Sequence, residues 1–128
     1  MAEGESRRVL LIDDDRWVRA LFTDVLVAMG CQVDAAASGE EGLALFARGG
    51  YQLVITDLEM AGVGGLEVAH TVQQELSGVP VIVMTGSPER LDELKQHLHG
   101  CTVLTKPVRL PDFQNAVLRA FESARRQN

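Results

Sequence analysis

Short apolar runs that alternate with amphipathic stretches are the feature that most limits how this chain can fold. The three strongest runs are Val9–Ile12, Leu53–Thr56 and Val79–Met84. Each precedes a stretch whose apolar residues recur three or four positions apart, which is typical of a helix that packs through one face. Strands that alternate with such helices indicate a parallel sheet covered by helices on both faces. We therefore predict an α/β fold.

Five such strand–helix units follow one another. The predicted strands are Val9–Ile12, Gln32–Ala36, Leu53–Thr56, Val79–Met84 and Thr102–Leu104. The predicted helices are Arg16–Met29, Ser38–Arg48, Gly65–Leu76, Pro88–Leu98 and Leu110–Ala124. The three most apolar strands belong at the centre of the sheet, where both faces are covered, and the partly polar second strand suits an edge. Right-handed crossovers then favour the strand order 2-1-3-4-5.

Length and composition predict one globular domain. The chain has 128 residues, of which 46% are apolar and 23% charged, as in ordinary globular proteins. No internal repeat or linker divides it, so we expect one domain over residues 1–128. Its core is expected at about 8–124, between a short flexible N-terminus at 1–7 and a tail at 125–128.

Charge and cysteine content exclude several partners and compartments. The net charge of −6 disfavours direct binding to nucleic acid or to an anionic membrane, because both attract basic surfaces. No apolar run approaches the ~20 residues of a membrane span, and the N-terminal residues lack a signal peptide's apolar stretch. Cys31 and Cys101 have no metal-type spacing and are expected to be buried free thiols in a reducing compartment. We therefore expect a cytoplasmic protein.

Mostly polar residues follow the carboxyl ends of four predicted strands. They are Asp13, Asp14, Asp15, Asp57, Thr85, Gly86, Thr105, Lys106 and Pro107. In sheets of this order the carboxyl ends of the strands meet at one edge, where ligands bind. Crowded carboxylates repel one another unless a cation joins them, and hard oxygen ligands suit Mg²⁺. A carboxylate beside Mg²⁺, with a lysine and a hydroxyl opposite, is suited to accept a phosphoryl group as a nucleophile.

Four segments resemble the signatures of the response-regulator receiver domain of two-component signalling, in the chemotaxis-receiver-like form. They are "VLLIDDDRWVR", "LVITDLEM", "VIVMTG" and "LTKP". From Asp14 to Asp57 is 43 residues, from there to Thr85 is 28, and a further 21 lead to Lys106. The resemblance extends from about Val9 to Phe121, and it implies a flavodoxin-like doubly wound (βα)5 fold and a phosphoaccepting function.

The resemblance implies a metal-assisted phosphoacceptor. Asp57 matches the phosphoacceptor, and Asp13 and Asp14 match the acidic pair that holds Mg²⁺ or Mn²⁺ together with it. Glu59 matches the position whose main-chain carbonyl also ligates the metal. Because its side chain lies two positions after the phosphoacceptor, Glu59 is also expected to tune hydrolysis of the phosphorylated form.

The resemblance also implies residues that bind the phosphoryl group. Thr85 matches the switch hydroxyl, with Gly86 beside it, and Lys106 matches the lysine that pairs with the phosphoryl group. Pro107 matches a proline that follows a cis peptide bond. Ser87 is expected, like Glu59, to tune hydrolysis.

The sequence departs from the family pattern at two residues and in its fourth helix, where the segment "GSPERLDELKQHLHG" is polar and poor in alanine. Ala61 stands where proline commonly follows a methionine, and Val103 stands where the family usually has an aromatic residue whose rotamer follows Thr85. The aromatic half of that switch is therefore missing. We expect intact phosphorylation chemistry but an altered read-out through the fourth helix and fifth strand.

Ordinary structural roles account for other polar and aromatic residues. Asp15 is expected to cap the first helix, since aspartate accepts hydrogen bonds from unpaired N–H groups there. Trp17 is expected to be half-buried against the site. His70, His97 and His99 are scattered and indicate no zinc site.

Three functions remain open, of which a phosphoaccepting signalling domain fits best. A histidine kinase or phosphotransfer protein would phosphorylate Asp57, and the domain would signal to an unidentified protein without being an enzyme itself. No output domain follows the fifth helix, so the chain either acts through a partner or is part of a larger kinase or regulator. The second hypothesis is a receiver-like interaction module that is not phosphorylated.

The third hypothesis is a small phosphatase that resembles the haloacid-dehalogenase superfamily. Asp13 and Asp15 imitate its D-x-D motif. That superfamily also needs an acidic pair after the lysine, and only Asp112 follows nearby.

Overall fold

The computed structural model describes residues 7–75, 78–98 and 100–126, with side chains up to 123. The strands are β1 (Arg8–Ile12), β2 (Gln32–Ala36), β3 (Leu53–Asp57), β4 (Val81–Thr85) and β5 (Thr102–Thr105). The helices are α1 (Arg16–Ala28), α2 (Gly39–Ala47), α3 (Gly65–Glu75), α4 (Leu91–His97) and α5 (Leu110–Arg126). A 3₁₀ turn, Pro88–Arg90, leads into α4. Outside the described residues lie the predicted α3 end at Leu76, residues 1–6 of the predicted flexible N-terminus at 1–7, and residues 127–128 of the predicted tail at 125–128.

The five strands form one parallel sheet in the order β2-β1-β3-β4-β5, which confirms the predicted topology. Thr85, at the end of β4, pairs with Thr105 at the end of β5. Asp57, at the end of β3, pairs with Met84. The strand ends are therefore level, and the residues at or just beyond them lie along one edge of the sheet.

Helices cover both faces of the sheet. One apolar layer lies between the sheet and α1 and α5, where Phe22 stacks on Phe113 with ring centroids 4.3 Å apart. The other lies beneath α2, α3 and α4, and β3 and β4 are buried along their whole length between the two layers. Full burial of one large apolar side chain is worth about 1.5–3 kcal/mol, so the central strands are firmly held.

Several element boundaries differ from the prediction by a few residues. β4 begins at Val81 rather than Val79, because Pro80 has no N–H to donate and enters the ladder only by accepting from the Val54 N–H at 3.1 Å. The predicted fourth helix is divided, since Pro88–Arg90 forms a 3₁₀ turn and α4 itself is short. α5 continues to Arg126, two residues beyond the predicted end at Ala124.

Two burial predictions were wrong. Trp17 is 74% exposed rather than half-buried, because α1 packs through Phe22 and Leu26 and Trp17 lies off that face. The Arg16 guanidinium covers the Trp17 ring at 5.0 Å instead. Cys31 is buried as expected, but Cys101 is only partly buried. No helix in the described part of the chain has the length and apolar character needed to cross a membrane.

Candidate functional site

Buried strands deliver the predicted site residues to one edge of the sheet. Asp13 follows β1, and its N–H donates to the Ala36 carbonyl at 3.1 Å, which keeps it in line with the sheet. Asp57 and Thr85 are the last residues of β3 and β4 and are 3% and 0% exposed. The Lys106 N–H donates to the Thr85 carbonyl at 2.7 Å and so fixes the segment after β5 beside β4.

Three aspartates form an acidic cluster at this edge. Carboxylate oxygens of Asp13, Asp14 and Asp57 all lie within 4.8 Å of one another. Oδ1 of Asp13 accepts from the Asp15 N–H at 2.8 Å, whereas its buried Oδ2 has no hydrogen-bond partner among the described residues. A buried carboxylate oxygen without a partner is rare in proteins, and a cation is one group that satisfies it.

Burial raises the pKa of two acids in the cluster, Asp13 and Asp57. Burial of Asp13 raises its pKa to about 6 from 3.8, against the hydrogen bond from Asp15 and with help from the negative charge of Asp57. Burial also raises the pKa of Asp57, although the hydrogen bond and charge of Lys106 oppose the shift. Keeping these two carboxylates ionised therefore costs the folded chain free energy, and a cation beside them would offset that cost.

Lys106 supplies a positive charge to Asp57. Its Nζ lies 3.0 Å from Asp57 Oδ1 in a largely shielded ion pair. Burial lowers the pKa of Lys106, but the hydrogen bond and charge of Asp57 outweigh burial and the pKa is raised. Lys106 therefore remains a charged ammonium, and it faces the Asp57 carboxylate of the acidic cluster.

Glu59, Thr85 and Gly86 form a second hydrogen-bonded group beside Asp57. The Thr85 hydroxyl donates to Glu59 Oε2 at 2.7 Å, and the Gly86 N–H donates to Glu59 Oε1 at 3.0 Å. The Ser87 N–H donates to Thr85 Oγ1 at 3.0 Å. The Glu59 N–H approaches Asp57 Oδ1 at 3.4 Å and so joins this group to the acidic cluster.

The structure thus brings together the residues that the sequence placed at the strand ends. Asp15 stands apart from the acidic cluster and caps α1 as predicted, since its carboxylate accepts from the Trp17 and Val18 N–H groups at 2.9 and 3.1 Å. The bond from Lys106 to Pro107 is cis, which confirms that expectation.

Sequence reasoning missed two arginines at the site. Arg90 Nη1 lies 3.6 Å from Glu59 Oε2, and Arg19 Nη1 donates to the Asp13 carbonyl at 2.8 Å. Neither follows a strand, so the rule that located the other residues does not reach them. The one available signal for Arg19 was its position six residues after Asp13, because α1 begins just beyond β1 and its first turns lie near the strand end.

Comparisons with known proteins agree with this site. A family model described as the response regulator receiver domain matches residues 9–118. The transcriptional regulatory protein GlrR of Escherichia coli K12 is 33% identical over 117 residues, which are 91% of this chain but 26% of GlrR. The polar-differentiation response regulator DivK of Brucella ovis is 30% identical over 111 residues, covering 84% of this chain and 90% of DivK.

A solved structure shares both the fold and the sequence pattern. The response regulator TrrA of Thermotoga maritima, crystallised in complex with Mg²⁺ and BeF, superposes with a TM-score of 0.81 and is 30% identical, covering 89% of this chain and 98% of TrrA. The chain spans about a quarter of the length of GlrR but nearly all of DivK and TrrA. The family model, these relatives and the fold agree that the chain belongs to the response regulator receiver domain family of two-component signalling.

Proposed function

We propose that this chain is a phosphoacceptor in which Asp57 takes a phosphoryl group from a histidine kinase or a histidine phosphotransfer protein. The observation that carries the proposal is the surroundings of Asp57. Its carboxylate ends a fully buried strand, pairs with Lys106 Nζ at 3.0 Å and lies within 4.8 Å of the Asp13 and Asp14 carboxylates. Receiver domains are signalling phosphoacceptors rather than classical enzymes, and this arrangement suits that role.

The chemistry is a displacement at phosphorus. An oxygen of the Asp57 carboxylate forms the new bond to phosphorus as the bond to the donor imidazole nitrogen breaks, which leaves an acyl phosphate. The product carries about −1.5 to −2 charges where the carboxylate had one. Lys106 balances part of that charge. Thr85 and Gly86 offer a hydroxyl and an N–H to the phosphoryl oxygens, and Ser87 and Glu59 stand where they tune later attack by water.

Mg²⁺ or Mn²⁺ is the proposed cofactor, because the residues present fit it. Asp13 Oδ2 is buried without a partner among the described residues, and three carboxylates are within reach of one another. Asp13, Asp14 and Asp57 would hold the metal, with the main-chain carbonyl of Glu59 as a further ligand. Bound there, the metal neutralises negative charge on the phosphoryl oxygens. The Mg²⁺ and BeF in the TrrA structure support this assignment by analogy.

The setting of the domain is also part of the proposal. We place residues 1–128 as one receiver domain that works in the cytoplasm, without direct contact with nucleic acid or membrane. Its net charge of −6 supports this placement. Its output passes to a downstream protein that recognises the phosphorylated surface.

Acetyl phosphate with Mg²⁺ tests the proposal directly. Intact mass should show one added phosphoryl group in the wild type and none in Asp57→Asn. Trp17 is the single tryptophan and lies four residues after Asp13, so its fluorescence can be followed as Mg²⁺ and beryllofluoride are added. Asp24→Asn, an exposed change on α1 with the same loss of charge, should behave like the wild type. Equal phosphorylation of the wild type and Asp57→Asn would refute the proposal.

The other two hypotheses make different predictions. An interaction module that is not phosphorylated would bind its partner equally well after Asp57→Asn, and the departures at Ala61 and Val103 are its support. The phosphatase hypothesis needs Asp15 for catalysis, but Oδ1 of Asp15 already accepts from two N–H groups of α1 as a helix cap. Multiple turnover of a phosphomonoester would favour the phosphatase.

A further inference from the structure

The Glu59 carboxylate occupies both donors that the proposed function assigns to the phosphoryl oxygens. Its Oε2 accepts from the Thr85 hydroxyl at 2.7 Å, and its Oε1 accepts from the Gly86 N–H at 3.0 Å. Hydrogen bonds to a charged acceptor are stronger than neutral ones, and Thr85 is fully buried. With Asp57 as a free carboxylate, Glu59 therefore stands in for the group that Asp57 is proposed to receive.

Glu59 also joins the site to the start of α4. Arg90 Nη1 lies 3.6 Å from Glu59 Oε2, while Arg90 Nε donates to Glu93 Oε1 at 3.1 Å. Arg90 ends the 3₁₀ turn and Glu93 lies in the first turn of α4, so these two residues belong to one segment. Glu59 therefore ties the start of this segment, residues 88–94, to the site, while the buried Leu94 side chain holds its end in the apolar layer.

We infer that Glu59 is a displaceable latch, which phosphorylation of Asp57 expels from Thr85 and Gly86 so that residues 88–94 are released. The displacement rests on the proposed function, whereas the latch in the unphosphorylated chain does not. Two anions cannot share the same pair of donors, and a phosphoryl group carries more charge than a carboxylate. Arg90 then loses Glu59 but keeps Glu93, so the first turn of α4 moves as a unit.

The latch gives the signal a route that needs no aromatic residue on β5. Val103 occupies the position where the family usually has that residue, and it packs against the apolar layer beneath α2, α3 and α4. Glu59 contacts Thr85 and Arg90 directly. A change at Thr85 therefore reaches α4 through two side chains, those of Glu59 and Arg90.

The latch in the unphosphorylated protein is tested by amide hydrogen exchange at Gly86. Glu59→Ala removes the acceptor of the Gly86 N–H, so we expect exchange at Gly86 to accelerate by about fivefold or more. Glu93→Ala removes the same charge and the other partner of Arg90 without touching Thr85 or Gly86, and it should leave Gly86 unchanged. Equal Gly86 exchange in Glu59→Ala and the wild type would overturn the latch.

Displacement is tested by titrating beryllofluoride at saturating Mg²⁺. Glu59→Ala should bind about tenfold more tightly than the wild type, because the probe no longer competes with an internal carboxylate. Glu59→Gln, which keeps a neutral acceptor of the same shape, should fall between them. Exchange at residues 91–94 should rise on binding in the wild type and already be high in Glu59→Ala.

The two ways of failing are distinct. If the wild type binds beryllofluoride and Glu59→Ala binds no more tightly, displacement of Glu59 is refuted while the phosphoacceptor function stands. If the wild type binds neither beryllofluoride nor a phosphoryl group, the proposed function fails and displacement fails with it. Thermal melting of each variant confirms that it is folded, and the Gly86 measurement judges the resting latch in either case.

Discussion

Asp13→Asn should stabilise the metal-free protein at neutral pH. The Asp13 carboxylate is fully buried, and burial raises its pKa from 3.8 to about 6. At pH 7 the Asp13 carboxylate is ionised in both states. It is buried in the folded chain, but it is hydrated in the unfolded chain. A difference of about two units corresponds to roughly 3 kcal/mol of lost stability, since each unit is worth about 1.4 kcal/mol.

The direction of the pH dependence follows from the raised pKa. Between pH 3.8 and about 6 the folded state binds more protons than the unfolded state, so stability falls as pH rises through this window. The contribution of protonated Asp13 is fully present below pH 3.8 and is lost above about 6. An asparagine does not ionise, so its advantage should be present at pH 7 and absent near pH 4.

The asparagine side chain can replace the contacts of Asp13. Its oxygen can accept from the Asp15 N–H, as Asp13 Oδ1 does at 2.8 Å, and its amide can donate to the nearby Asp14 or Asp57 carboxylate. We therefore expect a gain of about 2 kcal/mol, or roughly 6–10 °C in Tm for a domain of this size.

Thermal melting in EDTA and in Mg²⁺ measures the effect. In EDTA at pH 7, Asp13→Asn should melt above the wild type, and the gap should close near pH 4. In Mg²⁺ the wild type should gain stability because the ion binds the folded state, whereas the variant should gain little. Asp24→Asn controls for net charge. A variant no more stable than the wild type in EDTA at pH 7, or a gap independent of pH, would refute the reasoning.

Two further substitutions test the site and its support. Lys106→Met removes the ammonium 3.0 Å from Asp57 Oδ1, so the rate of phosphorylation by acetyl phosphate should fall by roughly 10- to 100-fold. The control Lys95→Met, on α4, should have no effect. Equal rates in Lys106→Met and the wild type would show that the ion pair is only structural. Gly65→Ala would place its methyl group against the backbone of Asp57, and its free energy of unfolding in urea should be lower by about 2 kcal/mol or more. In Gly64→Ala the methyl group meets only the Leu58 carbonyl, at 3.5 Å, so the loss should be less than half as large.

The sequence was sufficient to predict the sheet order and the convergence of the acidic cluster. Both follow from the same regularity, because parallel strands bring their carboxyl ends to one edge and the chemistry of Asp13, Asp57 and Lys106 is concentrated there. Pattern reasoning is strong for such residues, since a buried strand leaves little freedom in where its last residue lies.

The contacts of loop side chains were beyond prediction. Nothing in the spacing indicates that Glu59 reaches Thr85, or that Arg90 approaches Glu59, because these contacts depend on rotamers and on the path of two loops. Trp17 was misjudged for a related reason. A helix position next to a buried stripe is half-buried or exposed according to the rotation of the helix, which periodicity defines only approximately.

The burial of β3 and β4 on both faces separates a rigid reaction centre from the residues that connect it to α4. Asp57 and Thr85 end strands that cannot shift without disturbing two apolar layers, whereas Glu59 lies in the loop after β3 and Arg90 lies in the 3₁₀ turn before α4. Substitutions of Glu59 and Arg90 should therefore cost little stability and leave Asp57 in place. One reaction centre can in this way be connected to different outputs as the loops diverge, because the sheet keeps the reaction centre in the same geometry.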